Sequence, residues 1–168
     1  AARERWIQRD LPSWLAAQRF YPGIADRLQA IVRSDVQIFV LTTKEGRFAH
    51  LLLERNGVTL PATRVWGKER AHPKVDLLRT LGREFGVDYG AIWFVEDRLK
   101  TLRSVQEQAD LDAVGLFLAT WGYNTPAERE EASADQRITP LTLEQFCGDF
   151  SAWMRSRAGN TISRGVTS

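Results

Sequence analysis

Three short runs of this sequence are apolar on both faces: VQIFVLT at 36–42, AIWFV at 91–95 and AVGLFLAT at 113–120. Each is shorter than a stable helix and rich in β-branched or aromatic residues. A strand with two apolar faces needs cover on both, and a parallel sheet between helices provides it. A weaker run, TRVWG at 63–67, stands where a further strand belongs. Around these runs the apolar residues return at helical spacing. Ile24, Leu28, Ile31 and Val32 share one face; Phe48, Leu51 and Leu52 share another over 45–56, closed by Gly57. Leu77, Leu78, Leu81 and Phe85 do the same over 73–85, closed by Gly86, as do Leu99, Leu102 and Val105 over 98–109. Strand and helix alternate four times. That order predicts an α/β fold, a three-layer α/β/α Rossmann-like domain with a mostly parallel sheet.

The ends of the chain read differently. Residues 3–20 are helical but interrupted at Pro12, with Trp6, Leu11, Trp14 and Leu15 as the apolar stripe. Thr125-Pro126 starts a helix, and Thr142 with Gln145 makes a capping box for a last helix carrying Phe146, Phe150 and Trp153. Residues 21–155 form the core domain, and 156–168, polar and rich in Gly, Ser and Thr, read as a flexible tail.

Composition narrows the class. A chain of 168 residues suits one domain, and its 43% hydrophobic and 26% charged residues are those of an ordinary globular protein. The single cysteine, Cys147, cannot form an intrachain disulfide and falls on the apolar face of the last helix, where it reads as core. With no secretory leader pattern in the sequence, the expected location is cytoplasmic. No apolar run reaches the roughly 18 residues of a membrane helix. The net charge of +2 comes from cations spread along the chain, which gives no reason to expect nucleic acid as a partner.

In a parallel α/β sheet the chemistry gathers at the carboxyl ends of the strands. Thr42, Thr43 and Lys44 follow the first run, Lys68 the second, Glu96 and Asp97 the third, and Thr120, Trp121 and Gly122 the fourth. Glu96 and Asp97 offer oxygen ligands to a hard cation such as Mg²⁺; Asp97 could equally cap the next helix. Thr42 and Thr43 can donate to a phosphate oxygen near a helix N-terminus, or simply cap that helix locally. Lys74 opens a helix, where its charge opposes the dipole, and Lys68 is its rival for facing an anion. Together a hydroxyl, a cation and a pair of acids follow in the order of a phosphate-and-magnesium site.

Taken together, these pieces make the sequence resemble the haloacid dehalogenase superfamily, in particular its phosphoglycolate-phosphatase-like branch. The matching residues are Phe20-Tyr21-Pro22-Gly23, Val40-Leu41-Thr42-Thr43-Lys44, His72-Pro73-Lys74-Val75-Asp76-Leu77-Leu78, Phe94-Val95-Glu96-Asp97-Arg98 and Thr120-Trp121-Gly122-Tyr123. The resemblance implies that Thr42 hydrogen-bonds the transferring phosphoryl group. It implies that Lys74, or failing that Lys68, offsets its charge, and that Asp97 with Glu96 holds Mg²⁺. The expected substrate is a small phosphorylated molecule. Two departures follow. Where the family often has a further aspartate, this chain has Thr101. The family's nucleophile, on a central first strand ending in aspartate-x-aspartate, has no counterpart: Asp10 follows no buried strand, and Asp26 and Asp35 lie in or after a helix. The expectation is therefore a C-terminal portion of a magnesium-dependent phosphatase, inactive alone, with 1–20 the remnant of a helical cap and the missing segment its N-terminal partner. The alternatives are a non-catalytic interaction module of the same fold and an unrelated doubly wound domain.

Overall fold

The computed structural model describes residues 2–70 and 72–154; the expected tail at 156–168 lies outside the described residues. Along the chain run α1 (Ala2–Arg9), α2 (Leu11–Ala17), α3 (Ile24–Val32), β1 (Val40–Leu41), α4 (Gly46–Arg55), β2 (Val65–Trp66) and α5 (Lys74–Phe85). Then come β3 (Trp93–Glu96), α6 (Leu99–Gln106), β4 (Gly115–Ala119), α7 (Pro126–Ala134), β5 (Ile138–Leu141) and α8 (Leu143–Cys147). Every strand pairing is parallel. Helices connect the paired strands, so the α/β class with parallel strands is the one found. No helix among the described residues is long and apolar enough to cross a membrane.

The chain divides into two compact units, Ala1–Ala71 and His72–Ser168, inside the 21–155 core anticipated from sequence. The single sheet expected is, among the described residues, two hydrogen-bonded sheets. They are β1-β2 in the first unit and β3-β4-β5 in the second.

In the first unit, Asp10 ends α1 and caps α2, its side chain accepting the Ser13 N–H at 3.0 Å. Pro12 therefore falls in the first turn of α2, where its missing N–H costs nothing. Trp14 is buried against Phe48 and Leu52 of α4, with Ile7, Leu11, Leu15 and Phe20 around them. Trp6, expected in that stripe, is instead 43% exposed. The buried side of α4 carries Phe48, Ala49, Leu52 and Leu53, while Leu51 faces outward. Leu51 lies about 100° round the helix from Leu52, just off the buried stripe. Ala49 and Leu53 join Val58, Leu60 and Val65 in a core packed by Leu28, Val32, Ile38 and Val40. The run at 36–42 forms a ladder only at Val40 and Leu41, because its partner β2 is two residues long.

The second unit is built on β4, whose five residues are all buried between β3 and β5. Strand β5 was not foreseen. Its Pro140 pairs opposite Leu118, which an edge strand tolerates because one side of its backbone makes no ladder. What anchors β5 is Asp135. Its carboxylate accepts the N–H groups of Arg137 and Ile138, the Gln106 amide and the Arg103 guanidinium, tying α6 to the turn that enters the strand. Burial works against the charge, yet these hydrogen bonds hold the Asp135 carboxyl at about 2. The last helix expected from sequence breaks at Gly148, and helix resumes over 150–154. Trp153 there is buried against Trp93, Phe117, Phe146 and Phe150, with ring centroids 5.0–5.7 Å apart. Such offset and edge-on contacts add to the area they bury.

Candidate active site

Strand β3 ends by delivering Glu96 and Asp97 side by side, and α5 begins with Lys74 within electrostatic reach of Glu96. The second unit thus brings together three of the residues singled out in the sequence. Glu96 is half-buried and shares a hydrogen bond with the Asp97 carboxyl. Burial, that hydrogen bond and the neighbouring charge push its pKa up to about 7, against the pull of the Arg98 N–H and of Lys74. Lys74 stands at the first position of α5, after Pro73. Burial lowers its pKa, and the charge of Glu96 opposes that.

Asp97 does not cap the helix after it. The N-cap of α6 is Arg98, which makes no side-chain cap bond. Asp97 Oδ2 accepts instead from the backbone N–H of Tyr123, at 3.0 Å, in the turn beyond β4. Gly122 makes this approach possible, since a β-carbon there would run into the Asp97 side chain, 2.8 Å from Oδ2. Asn124 completes the turn, its amide donating to the carbonyls of Asp97 at 3.0 Å and Ala119 at 2.8 Å. The matching run in the sequence, Thr120-Trp121-Gly122-Tyr123, ends one residue short of Asn124. An asparagine one residue beyond, in a turn with glycine, was the available signal.

Among the described residues no group of three or more His, Cys, Asp or Glu side chains could by itself hold a metal ion. Mg²⁺ ordinarily takes one or two protein carboxylates and fills its other positions with water and phosphate oxygens. Two adjacent, partly buried acids fit that demand.

The other candidates belong to the first unit. Thr42 follows β1, its N–H donating to Trp66 O at 2.9 Å, and its Oγ1 accepts the Lys44 N–H at 3.1 Å. Thr43 beside it is exposed. The N–H at the start of α4, a natural place for phosphate, belongs to Gly46 and donates to the Glu69 carboxylate at 3.0 and 3.2 Å. Glu69 also accepts from Gly67 N–H at 3.2 Å. These bonds, from Gly46 first, hold the Glu69 carboxyl below its usual range. A β-carbon on Gly67 would run into the Gly46 backbone, so the close approach of the two turns requires glycine. Lys68 reaches Glu45 Oε1 at 3.0 Å, and Arg47 reaches Glu45 Oε2 at 2.9 Å. Glu45 and Glu69 carried no motif in the sequence; only the contact between the two turns reveals them.

The one aspartate-x-aspartate in the sequence, Asp110-Leu111-Asp112, ends no strand. It precedes β4, and its acids are bound to Arg79 at 2.7 Å and Arg137 at 2.8 Å.

No family model matches the chain, and no solved structure matches it significantly. Among curated proteins it is similar to the D-glycero-beta-D-manno-heptose-1,7-bisphosphate 7-phosphatase of Pseudomonas aeruginosa. The two are 31% identical over 112 residues, 62% of this chain and 63% of that protein. The chain thus spans less than two thirds of the curated relative it matches.

Proposed function

We propose that this chain is the C-terminal part of a magnesium-dependent phosphatase of the haloacid dehalogenase superfamily, acting on a small phosphomonoester. One observation carries the reading: Lys74 lies within electrostatic reach of Glu96, the first of two adjacent, partly buried acids at the carboxyl end of a parallel strand. Keeping two charged carboxylates together is unfavourable unless a shared proton or a cation joins them. Similarity to a phosphatase supports the same reading.

In this reading Asp97 and Glu96 hold Mg²⁺, which when bound would neutralise charge on the phosphoryl oxygens. The Tyr123 N–H occupies Oδ2 of Asp97 and fixes which way the carboxylate faces. Lys74 brings positive charge toward the phosphoryl group, and its depressed pKa follows from the burial that strengthens this charge. In the first unit, Thr42 is the candidate to donate to a phosphate oxygen. Its Oγ1 accepts from Lys44, and the hydroxyl keeps its own proton to donate. Thr43 and Lys68 are secondary candidates; Lys68 forms an ion pair with Glu45. The nucleophile is assigned to a strand outside these 168 residues. The absence of a strand ending in aspartate-x-aspartate among the 168 residues supports this.

The test has two arms. The 168-residue chain should release no phosphate from any phosphomonoester, because placed charges without a nucleophile form no phospho-enzyme. Extended by an upstream strand ending in aspartate-x-aspartate, it should turn over with Mg²⁺. Phosphate release by the short chain would reveal another nucleophile. An inert extended protein that binds no Mg²⁺ would favour the non-catalytic module.

A further inference from the structure

We propose that Asn124 is a positioning residue that aims Asp97 at its cation; this rests on the magnesium reading above. The case is one of hydrogen-bond bookkeeping. Asn124 spends its side-chain donors on the main-chain carbonyls of Asp97, at 3.0 Å, and of Ala119, at 2.8 Å. These are the residues where β3 gives way to its loop and where β4 ends. The amide oxygen faces away and accepts from Arg129 Nη1 at 3.1 Å. The same guanidinium nitrogen binds the Asn124 carbonyl at 3.1 Å. The amide can therefore sit only one way round: reversing it would set its oxygen against two carbonyls and its NH₂ against a guanidinium.

The consequence falls on Asp97. Its backbone carbonyl is held by Asn124, and its Oδ2 is held by the N–H of Tyr123, one residue away. Both ends of the residue are thus fixed by one turn, and Gly122 clears the space for it. The carboxylate, which also shares a hydrogen bond with Glu96, is thereby set in one orientation toward a cation. Ligand-orienting groups of this kind typically change metal affinity by roughly 10–100-fold when lost. A mere brace of the turn would act on folding alone.

Cation affinity separates the two. Tb³⁺ bound near Trp121 and Tyr123 can be read by sensitised luminescence on the 168-residue chain, with Mg²⁺ as competitor and near-ultraviolet circular dichroism to confirm folding. Asp97→Asn should abolish the signal, Asn124→Ala should weaken both ions at least roughly tenfold, and Arg129→Gln, which frees the amide to turn, should fall between native and Asn124→Ala. If Asn124→Ala does not fold, Arg129→Gln decides. Native affinity in a folded Asn124 variant, or in Arg129→Gln when it must decide, alongside loss in Asp97→Asn, would overturn the positioning role and leave the magnesium reading standing. Absence of binding by the native chain, or native binding by Asp97→Asn, would remove the magnesium reading and this inference with it.

Discussion

The strand-end turns of the two units treat their charges in opposite ways. In the first unit each acid is satisfied. Glu45 is held by Lys68 and Arg47, and Glu69 by the N–H groups of Gly46 and Gly67. Both carboxyls are held below their usual range, Glu45 chiefly by Lys68 and Glu69 chiefly by Gly46. In the second unit Glu96 is pushed up to about 7, with a second acid beside it. A turn that neutralises its own charges is stable as it stands. A turn that leaves two acids facing one another carries a cost that an external cation can relieve. The two turns differ in the partners of their acids and not in residue types, since both hold carboxylates and lysines.

The sharpest way to break the comparison is Asp97→Asn. The substitution keeps an oxygen for the Tyr123 N–H, so thermal melting should change little. In the extended, active protein, turnover should fall by about 10²–10³. Wild-type turnover at limiting and saturating Mg²⁺ would return Asp97 to the structural class.

Next in size is the pH response of Glu96. Its raised pKa means the folded protein holds this proton more tightly than the unfolded chain. The contribution to stability is therefore complete below about 4.5 and is lost as pH rises through about 7. Glu96→Gln, neutral throughout, should melt higher than the native chain at pH 8, by a margin of at most about 3 kcal/mol, and the gap should close towards pH 5. Mg²⁺ should raise the melting temperature of the native chain more at pH 8 than at pH 6, because it competes with that proton. Parallel pH curves for the two proteins would contradict both statements.

Smaller is Glu69→Ala, which strands the N–H groups of Gly46 and Gly67 near water. It should cost about 1 kcal/mol by chemical denaturation, with Glu69→Gln recovering part of it. No loss would mean that solvent replaces the carboxylate freely. Smallest of all is Lys68→Ala. It removes an exposed ion pair and should leave the melting curve unmoved. A large drop would show that this turn is not self-sufficient after all.

Much of the fold was legible because burial leaves a periodic trace. The runs at 91–95 and 113–120 became β3 and β4, and α3, α5 and α7 lie where spacing and caps put them. Ile138–Leu141 left no such trace. A proline inside a four-residue run argues against a strand, and the run is a strand because β4 offers it a ladder and Asp135 holds its entry. The run at 36–42 shows the converse: seven strand-like residues give a two-residue ladder, since a strand extends only as far as its partner.

The sequence by itself determined the α/β class with parallel strands, and it determined that Glu96 and Asp97 end a strand together, because both follow from apolar pattern and chain order. It also placed Lys74 at the head of a helix. Only the tertiary structure decided what those charges meet. Asp97 could equally have capped α6 on local grounds, and it turns instead to the N–H of Tyr123, twenty-six residues away. Lys68 and Lys74 look alike in sequence; one is paired with Glu45 and the other lies beside Glu96. A hydrogen bond or an ion pair depends on which turns fold against each other, and that information is held by the packed core rather than by either turn.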